Sequence, residues 1–327
     1  MGCGARWPHL CRSGYLSAVE AIPVTVLGGY LGAGKTTLVN HLLREANGLR
    51  IAVLVNDFGE LPIDADLIEA EEDSVLSIAG GCICCSYGSD LMATLQSLHV
   101  HPSRPQHVLI EASGVALPKP IADSVGLLPT LQLDGIVVLT DADTVLARAG
   151  DPYLGDTIER QLNDADLVIL NKVDLVGDEK LAAVHGWLDE LRPALKCIES
   201  VHARVPKAAL LSAVEDPAVQ IAASSGSPHV HYQSLLLSCD EVADAHAFAA
   251  CLARPELGLL RVKGFIEDVN GCIHRIQVVG HRGKAEPITT PPRTVGKLVA
   301  IGLAQRMDIA GVAACDGVAG VLMRSDD

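Results

Sequence analysis

Aromatic side chains and basic charge are both scarce in this sequence. Phe, Trp and Tyr make up 3% of the 327 residues, so the hydrophobic core must be built from aliphatic side chains. Acidic residues outnumber basic ones by 40 to 25, which gives a formal net charge of −15. A protein of that charge gains no attraction from the phosphates of nucleic acids or from anionic lipid surfaces. We therefore expect no nucleic acid and no membrane among its partners.

Long hydrophobic runs and a secretory signal are missing as well. No uninterrupted apolar stretch approaches the ~20 residues of a membrane-spanning helix. Residues 1–20 lack the continuous apolar centre of a signal peptide, and we expect either a disordered leader or extra residues ahead of the first strand. The ten cysteines form one cluster and are otherwise scattered, without a small disulfide framework. This usage favours a reducing, cytoplasmic compartment in which the scattered cysteines are isolated.

The region from 21 to 226 alternates short apolar runs with amphipathic stretches. The runs are apolar on both faces, which is typical of parallel strands covered by helices on both sides. The pattern predicts an α/β fold, a doubly wound and mostly parallel sheet with ligands at the carboxyl ends of its strands. The strand candidates are 22–28, 51–57, 107–112, 135–142 and 166–172, and the helix candidates are 35–46, 89–98, 153–163 and 179–191.

A change in amino-acid composition indicates a second, smaller domain. The stretch 221–234 is rich in Ser, Gly and Pro and reads as a linker. Beyond it come a helix candidate at 241–252 and three or four strand-like segments, with a hairpin turn at VNGC. We expect a C-terminal α+β domain over 232–327, and the chain length also fits two domains.

The segment GYLGAGKT (29–36) matches the phosphate-loop pattern G-x-x-x-x-G-K-[ST] in full. A strand candidate enters it and a helix candidate leaves it, as the motif requires. Glycines let backbone N–H groups turn inward onto phosphate oxygens. Lys35 would add positive charge at the β- and γ-phosphates, and Thr36 would offer its hydroxyl to Mg²⁺. The first half of the chain is therefore predicted to be a P-loop NTPase.

The base is predicted from Asn171-Lys172-Val173-Asp174, which follows the apolar strand DLVIL. A carboxylate at Asp174 would accept hydrogen bonds from N1–H and the exocyclic amine of guanine, which adenine cannot offer. The alternative is that Asp174 caps a helix. A further backbone contact to the base is predicted at 210–213, the sequence LLSA, at the end of the next predicted strand.

Hydrolysis is expected to depend on acidic residues between these motifs. Glu111 at the tip of HVLIE could order Mg²⁺ or the attacking water, and the Gly114 N–H could meet the γ-phosphate. The loop NDFGE carries Asp57 and Glu60. We assign Asp57 to Mg²⁺ and Glu60 to Mg²⁺ or to a linked metal site. The alternative for both is that they are solvated loop acids.

The stretch IAGGCICCSYG (78–88) places Cys82, Cys84 and Cys85 within four positions. Thiolates are soft ligands that suit Zn²⁺, Cu⁺ or Co²⁺. Three ligands are one short of a closed tetrahedral site, which favours loading and release over a structural role. The fourth ligand could be water, a histidine, Glu60 or a client residue. A redox dithiol and simple packing remain as alternatives.

Five segments in this order, GGYLGAGKTTLVNHLL, VNDFGE, GGCICC, IEASG and NKVDL, resemble those of the CobW-type GTPases, relatives of the urease and hydrogenase nickel-insertion GTPases. The resemblance spans nearly the whole chain, since RVKGFI and KLVAIGL are similar to that family's C-terminal domain. The hexapeptide GGCICC is its most specific element. One departure is the His-rich run of many members, of which only His229 and His231 remain.

The resemblance implies a GTPase that binds a transition metal at C-x-C-C and passes it to a client metalloprotein. The cofactors implied by the resemblance are GTP and Mg²⁺, and the implied metal is Zn²⁺ or Co²⁺. We hypothesise that GTP organises the thiolates and that hydrolysis releases the metal. The alternatives are a GTP-switched metal storage or sensor module and a P-loop small-molecule kinase. The implied nucleotide contacts are Gly29, Gly32, Ala33, Gly34, Lys35, Thr36, Thr37, Asn171, Lys172 and Asp174, and the implied metal ligands are Cys82, Cys84 and Cys85.

Overall fold

The structure, a computed structural model, describes residues 21–46, 48–55, 75–79, 89–211, 232–288, 292 and 294–323. Two sheets organise these residues, a parallel one in the first part of the chain and an antiparallel one in the second. Asp57, Glu60, the three clustered cysteines and the segment 212–231 lie outside the described residues.

Seven strands form the parallel sheet. They are β1 (Ile22–Gly28), β2 (Ile51–Val55), β3 (Val75–Ala79), β4 (His107–Glu111), β5 (Leu131–Asp141), β6 (Leu167–Asn171) and β7 (Cys197–Ser200). Their order is β3-β2-β4-β1-β5-β6-β7, and every neighbouring pair is parallel. The predicted strands all occur, with ends that differ by a few residues, whereas β3 and β7 were not among the predicted strand segments.

Helices cover both faces of this sheet. They are α1 (Lys35–Arg44), α2 (Ser89–Val100), α3 (Pro118–Val125), α4 (Val145–Ala149), α5 (Gly155–Asp164), α6 (Asp178–Leu191) and α7 (Lys207–Leu210). Along β1, Val24 and Val26 join the core beneath α2, α3, α5 and α6, and Leu27 joins the core beneath α1. Burial on both faces explains why the strands are continuously apolar. The predicted doubly wound fold is confirmed.

Six strands form the antiparallel sheet, in the order β11-β10-β9-β12-β8-β13. Its elements are β8 (Tyr232–Cys239), α8 (Ala245–Leu252), β9 (Leu259–Glu267), β10 (Ile273–Val279), β11 (Arg282–Pro287), β12 (Lys297–Leu303), α9 (Ile309–Ala313) and β13 (Val318–Met323). The predicted hairpin joins β9 to β10, and Gly271 provides the positive φ of its turn, 79°. Strands β11 and β13 were not predicted, because their sequences RGKAEP and VAGVLM lack a clear apolar alternation.

Helix α8 begins later than the sequence predicted, and Asp244 sets its start. The Asp244 side chain accepts hydrogen bonds from the N–H groups of His246 and Ala247. Phe248 and Leu252 then pack into the core of the antiparallel sheet. No helix within the described residues is long and apolar enough to cross a membrane.

Buried charges join the two sheets at the amino-terminal ends of the parallel strands. Arg261 of β9 donates to both carboxylate oxygens of Asp134 in β5, at 2.7 and 2.6 Å. Burial raises the pKa of Asp134, but the nearby charges, Arg261 first, outweigh it and hold that pKa below its ordinary range. Lys196, just before β7, donates to the carbonyls of Gly280 at 2.6 Å and Leu259. The antiparallel sheet therefore lies at the edge opposite to the phosphate loop.

One expectation about the cysteines is wrong. Cys251 and Cys315 were expected to be isolated, but the structure joins them as a disulfide. They are 64 residues apart in sequence, and the fold brings the end of α8 beside the turn after α9, with the two Cα atoms 6.2 Å apart. Sequence spacing alone carries no trace of such a pairing.

Candidate nucleotide-binding site

The phosphate loop connects β1 to α1 at the carboxyl edge of the parallel sheet. Gly29, Gly32 and Gly34 have φ values of 128°, 77° and 107°, a region that favours glycine. A Cβ on Gly29 would collide with the carbonyl of Leu139 in β5. A Cβ on Gly34 would lie 2.5 Å from Nδ2 of Asn171. The glycines are thus required by conformation and by close approach to neighbouring strands.

Lys35 opens α1 and folds back over the loop. Its Nζ donates to the carbonyl of Gly29 at 3.0 Å, and the residue is only 8% exposed. This contact closes the loop around the lysine ammonium group. A phosphate bound within the loop would therefore meet a positive charge and the N-terminal end of α1 together. Thr37 follows on the exposed side of the same helical turn.

Thr36 and Glu111 meet where β1 and β4 run side by side. The Thr36 hydroxyl donates to Oε1 of Glu111 at 3.3 Å, and Glu111 is 3% exposed at the tip of β4. A hydroxyl and a carboxylate at this separation are the hard oxygen donors that Mg²⁺ prefers. The donor chemistry of this pair therefore fits the predicted magnesium ion.

Gly114 lies in the loop after β4 and packs against the phosphate loop. A Cβ at Gly114 would lie 2.5 Å from Cδ2 and 2.9 Å from the backbone nitrogen of Leu31. Only glycine fits this close approach without a shift of the phosphate loop. The loop that was predicted to meet the γ-phosphate is thus adjacent to the loop that was predicted to hold it.

Asn171 braces the site from the end of β6. Its Nδ2 donates to the carbonyl of Ala33 at 2.9 Å. Its Oδ1 accepts from the Ser200 hydroxyl at 3.0 Å and from the Ala203 N–H at 2.8 Å. The side chain is buried, so it ties the phosphate loop to the turn after β7. This bracing was not predicted from the sequence.

Lys172 and Asp174 follow in the same motif. Lys172 has a φ of 62°, and its Nζ pairs with Oδ2 of Asp141 at 2.7 Å. Asp174 lies in a short 3-10 helix, Val173–Leu175, and is exposed. The residue that caps this helix is Lys172 and the residue that caps α6 is Gly177, so the alternative of Asp174 as a helix cap is wrong. Its carboxylate is left accessible to a ligand.

The strand that was predicted to end at LLSA does not occur there, and Ser212 and Ala213 lie outside the described residues. Leu210 ends the short helix α7 rather than a strand, and Leu210 and Leu211 are buried in the core. The turn that lies beside Asn171 is instead Ser200–Ala203, directly after β7. His202 and Ala203 both have a φ of 53° there. The strand CIES that precedes this turn was the available clue in the sequence.

Two other contacts near the phosphate loop were missed. The guanidinium of Arg148 in α4 donates to the carbonyl of Leu31 at 2.9 Å and lies 5.1 Å from the centre of the Tyr30 ring. Gln161 in α5 donates to the carbonyls of Gly114 and Ala116. Neither residue belongs to a short motif that a sequence would reveal.

The predicted transition-metal ligands lie outside the described residues, but the strands that lead to them are described. In register, Ala79 pairs with Val55, and Val55 pairs with Glu111, so the ends of β3, β2 and β4 lie side by side at the carboxyl edge. Cys82 follows three positions after Ala79. Among the described residues, no group of three His, Cys, Asp or Glu could hold a metal ion.

Comparison with known proteins gives a family match over residues 23–199. The matching family is described as the CobW/HypB/UreG nucleotide-binding domain. The match covers β1 to β7 up to Glu199 and therefore includes the phosphate loop, Glu111 and Asn171.

Three curated relatives are similar over longer or comparable stretches. A Zinc chaperone CobW of Sinorhizobium sp is 33% identical over 80% of this chain and 86% of its own length. A Zinc chaperone CobW of Pseudomonas aeruginosa is 34% identical over 62% of this chain and 64% of its own length. A Zinc-regulated GTPase metalloprotein activator 1 of Dictyostelium discoideum is 32% identical over 59% of this chain and 48% of its own length.

Proposed function

The chain belongs to the CobW/HypB/UreG family, and from that membership we propose that it is a GTP-hydrolysing metallochaperone. The observation that carries the proposal is the hydrogen bond between Asn171 of the N-K-V-D motif and Ala33 of the phosphate loop. It joins a base-recognition motif and a phosphate-binding loop into one nucleotide site. The exposed carboxylate of Asp174 then selects guanine by accepting from N1–H and the exocyclic amine.

Each part of the hydrolytic machinery has a residue of suitable chemistry. Lys35 neutralises charge at the β- and γ-phosphates. Thr36, with Asp57, would hold Mg²⁺, which when bound supplies further neutralisation of the phosphate charge. Glu111 would orient either that ion or the attacking water, and the Gly114 N–H would donate to the γ-phosphate.

The metal to be delivered is assigned to Cys82, Cys84 and Cys85, with Glu60 as a possible additional ligand. Thiolates bind Zn²⁺ and Co²⁺ well and bind hard cations such as Mg²⁺ poorly. Two of the relatives are named zinc chaperones, which supports Zn²⁺, and thiolate chemistry keeps Co²⁺ as the second candidate. The proposed partner is a client metalloprotein that receives the metal at its own metal site.

Strand order supports a coupling between nucleotide and metal. The segment with the cysteines connects β3 to α2, and β3 is joined through β2 to β4, whose end carries Glu111. The end of β3 lies two strand spacings from the end of β4, about 10 Å. A shift of Glu111 on loss of the γ-phosphate would therefore have a short path to the start of the cysteine segment. We therefore assign hydrolysis to the step that releases the metal.

Steady-state GTP hydrolysis, with and without Zn²⁺, tests this function. Repeated turnover of GTP, and not of ATP, is the expected result for the wild type. Lys35→Met should lower kcat roughly 100-fold or more, because it removes a charge that stabilises the transition state. The exposed Lys180→Met is the matched control and should keep wild-type turnover. A single turnover per metal-loaded protein would favour a sensor or storage module, and phosphate transfer to a metabolite would favour a kinase.

A further inference from the structure

Gln161 is a polar side chain in an apolar position. It lies on the face of α5 that buries Ile158 and Leu162, and it is 1% exposed. A buried amide is costly unless it is hydrogen-bonded. Gln161 meets this requirement with Nε2, which donates to the carbonyl of Ala116 at 2.8 Å and to that of Gly114 at 3.1 Å. Its hydrogen bonds are thus directed to a single loop.

That loop is the one that follows Glu111. The Ala112 N–H continues the sheet by donating to the carbonyl of Leu27 at 2.8 Å. The Ala116 N–H donates to the carbonyl of Ser113 at 2.9 Å and closes a turn around Gly114. Gln161 then holds two carbonyls of this turn from the side. The Gly114 N–H shares its peptide group with the Ser113 carbonyl, so the bond from the Ala116 N–H fixes its direction, and Gln161 of α5 holds that turn in place.

The phosphate loop is held from the same side. Leu31 packs against Gly114, and its carbonyl accepts from Arg148 of α4, the helix that precedes α5. Both loops that would face the γ-phosphate are thus bonded to the α4–α5 region. A change at one loop is transmitted to the other through the contact between Leu31 and Gly114.

We propose that Gln161 is a positioning residue for GTP hydrolysis. By holding the carbonyls of Gly114 and Ala116, it fixes the turn closed by the bond from Ala116 to Ser113, and so keeps the Gly114 N–H directed at the γ-phosphate before the nucleotide arrives. Such preorganisation favours the triphosphate and the transition state, since the diphosphate has no γ-phosphate to meet that N–H. The inference rests on the proposed GTPase function and adds to it a residue outside the nucleotide motifs.

Gln161→Met tests this role, because methionine has a similar length and no donor. We measure kcat, the affinity for a non-hydrolysable GTP analogue and the affinity for GDP on the full chain. The expected result is a fall of about tenfold in kcat and about fivefold in analogue affinity, with GDP affinity within about twofold of wild type. Gln161→Glu should lose at least as much, since a carboxylate cannot donate to the two carbonyls.

Gln132→Met is the matched control. Gln132 is a buried amide at the start of β5, and its Nε2 donates to Gln277 at 2.7 Å, far from the carboxyl edge. It should keep the kcat and the GTP-to-GDP affinity ratio of the wild type at a temperature where both proteins are folded. Equal losses of GTP and GDP affinity in Gln161→Met, or no loss at all, would overturn the inference. A wild type without GTP turnover would instead overturn the proposed function.

Discussion

The side-chain amide of Asn171 lies 2.9 Å from the carbonyl oxygen of Ala33, so the end of β6 is bonded directly to the phosphate loop. The same side chain accepts from Ser200 and Ala203, which makes it the common partner of three segments. The phosphate loop approaches it closely through Gly34, where any side chain would collide with Asn171. The segments that we propose to bind the phosphates and the base are therefore hydrogen-bonded to each other through one side chain.

Asn171→Ala should weaken GTP and GDP together, by about ten- to a hundredfold. The substitution removes three hydrogen bonds that hold the phosphate loop and the turn after β7, and each contributes about 1 kcal/mol. Calorimetric titration with both nucleotides measures the effect. Asn163→Ala, at an exposed position of α5, is the control and should bind as wild type does. A loss limited to GTP would contradict the bracing role.

Asp174→Asn should change the preferred base from guanine to xanthine. An asparagine offers one acceptor and one donor where the aspartate offers two acceptors, and xanthine has a carbonyl in place of the guanine amine. We expect roughly a 100-fold loss of GTP affinity and a gain for xanthosine triphosphate. Competition titrations with the two nucleotides check this. Asp178→Asn, exposed in the first turn of α6, should change neither affinity.

The parts of the fold that local sequence pattern controls could be predicted. Doubly buried strands such as β1 and β6 are apolar throughout, and the glycines around Lys35 form a known loop, so their positions follow from neighbouring residues. Guanine recognition was likewise assigned to the N-K-V-D motif from its place after a strand.

The remaining contacts depend on strand order, which no local pattern contains. Asn171 reaches Ala33 across 138 positions because β5 and β6 follow β1 in the sheet. Gln161 could only be noticed as a polar residue on an apolar helix face, and its target loop is 45 to 47 positions away. The pairing of Cys251 with Cys315 was hidden for the same reason.

Lys196 predicts a pH dependence of stability. Burial lowers its pKa to about 8 from an ordinary 10.5, although Glu256 raises it in part. Between about pH 8 and pH 10.5 Lys196 binds more protons in the unfolded chain than in the folded one. Its contribution to stability is therefore complete above about pH 10.5, declines as the pH falls, and is lost once the pH has fallen through about 8. The free energy of unfolding of wild type, relative to Lys196→Met, should rise by about 2 kcal/mol from about pH 7.5 to pH 10.

Chemical denaturation at the two pH values measures this difference. Lys297→Met, at an exposed position of β12, should keep the pH dependence of the wild type. If Lys196→Met and wild type show parallel pH profiles, the ammonium group of Lys196 is not desolvated between the two sheets.

The disulfide between Cys251 and Cys315 predicts a stability that depends on reduction. Closing a loop with a sequence separation of 64 should contribute about 2–4 kcal/mol to the free energy of unfolding. Cys251→Ser should lose that amount under oxidising conditions and match the wild type after reduction. Cys239→Ser serves as the control, since Cys239 has no disulfide partner among the residues that the structure describes. A wild type that reductant leaves unchanged would contradict the pairing.

The central claim is that nucleotide state controls metal affinity at Cys82, Cys84 and Cys85. The most direct test is a Zn²⁺ competition titration on protein loaded with Mg²⁺ and either a GTP analogue or GDP. We predict at least about tenfold tighter Zn²⁺ binding in the GTP-analogue state, and loss of that binding in Cys84→Ala but not in Cys239→Ala. Equal Zn²⁺ affinity in the two nucleotide states, or unchanged affinity in Cys84→Ala, would contradict the claim.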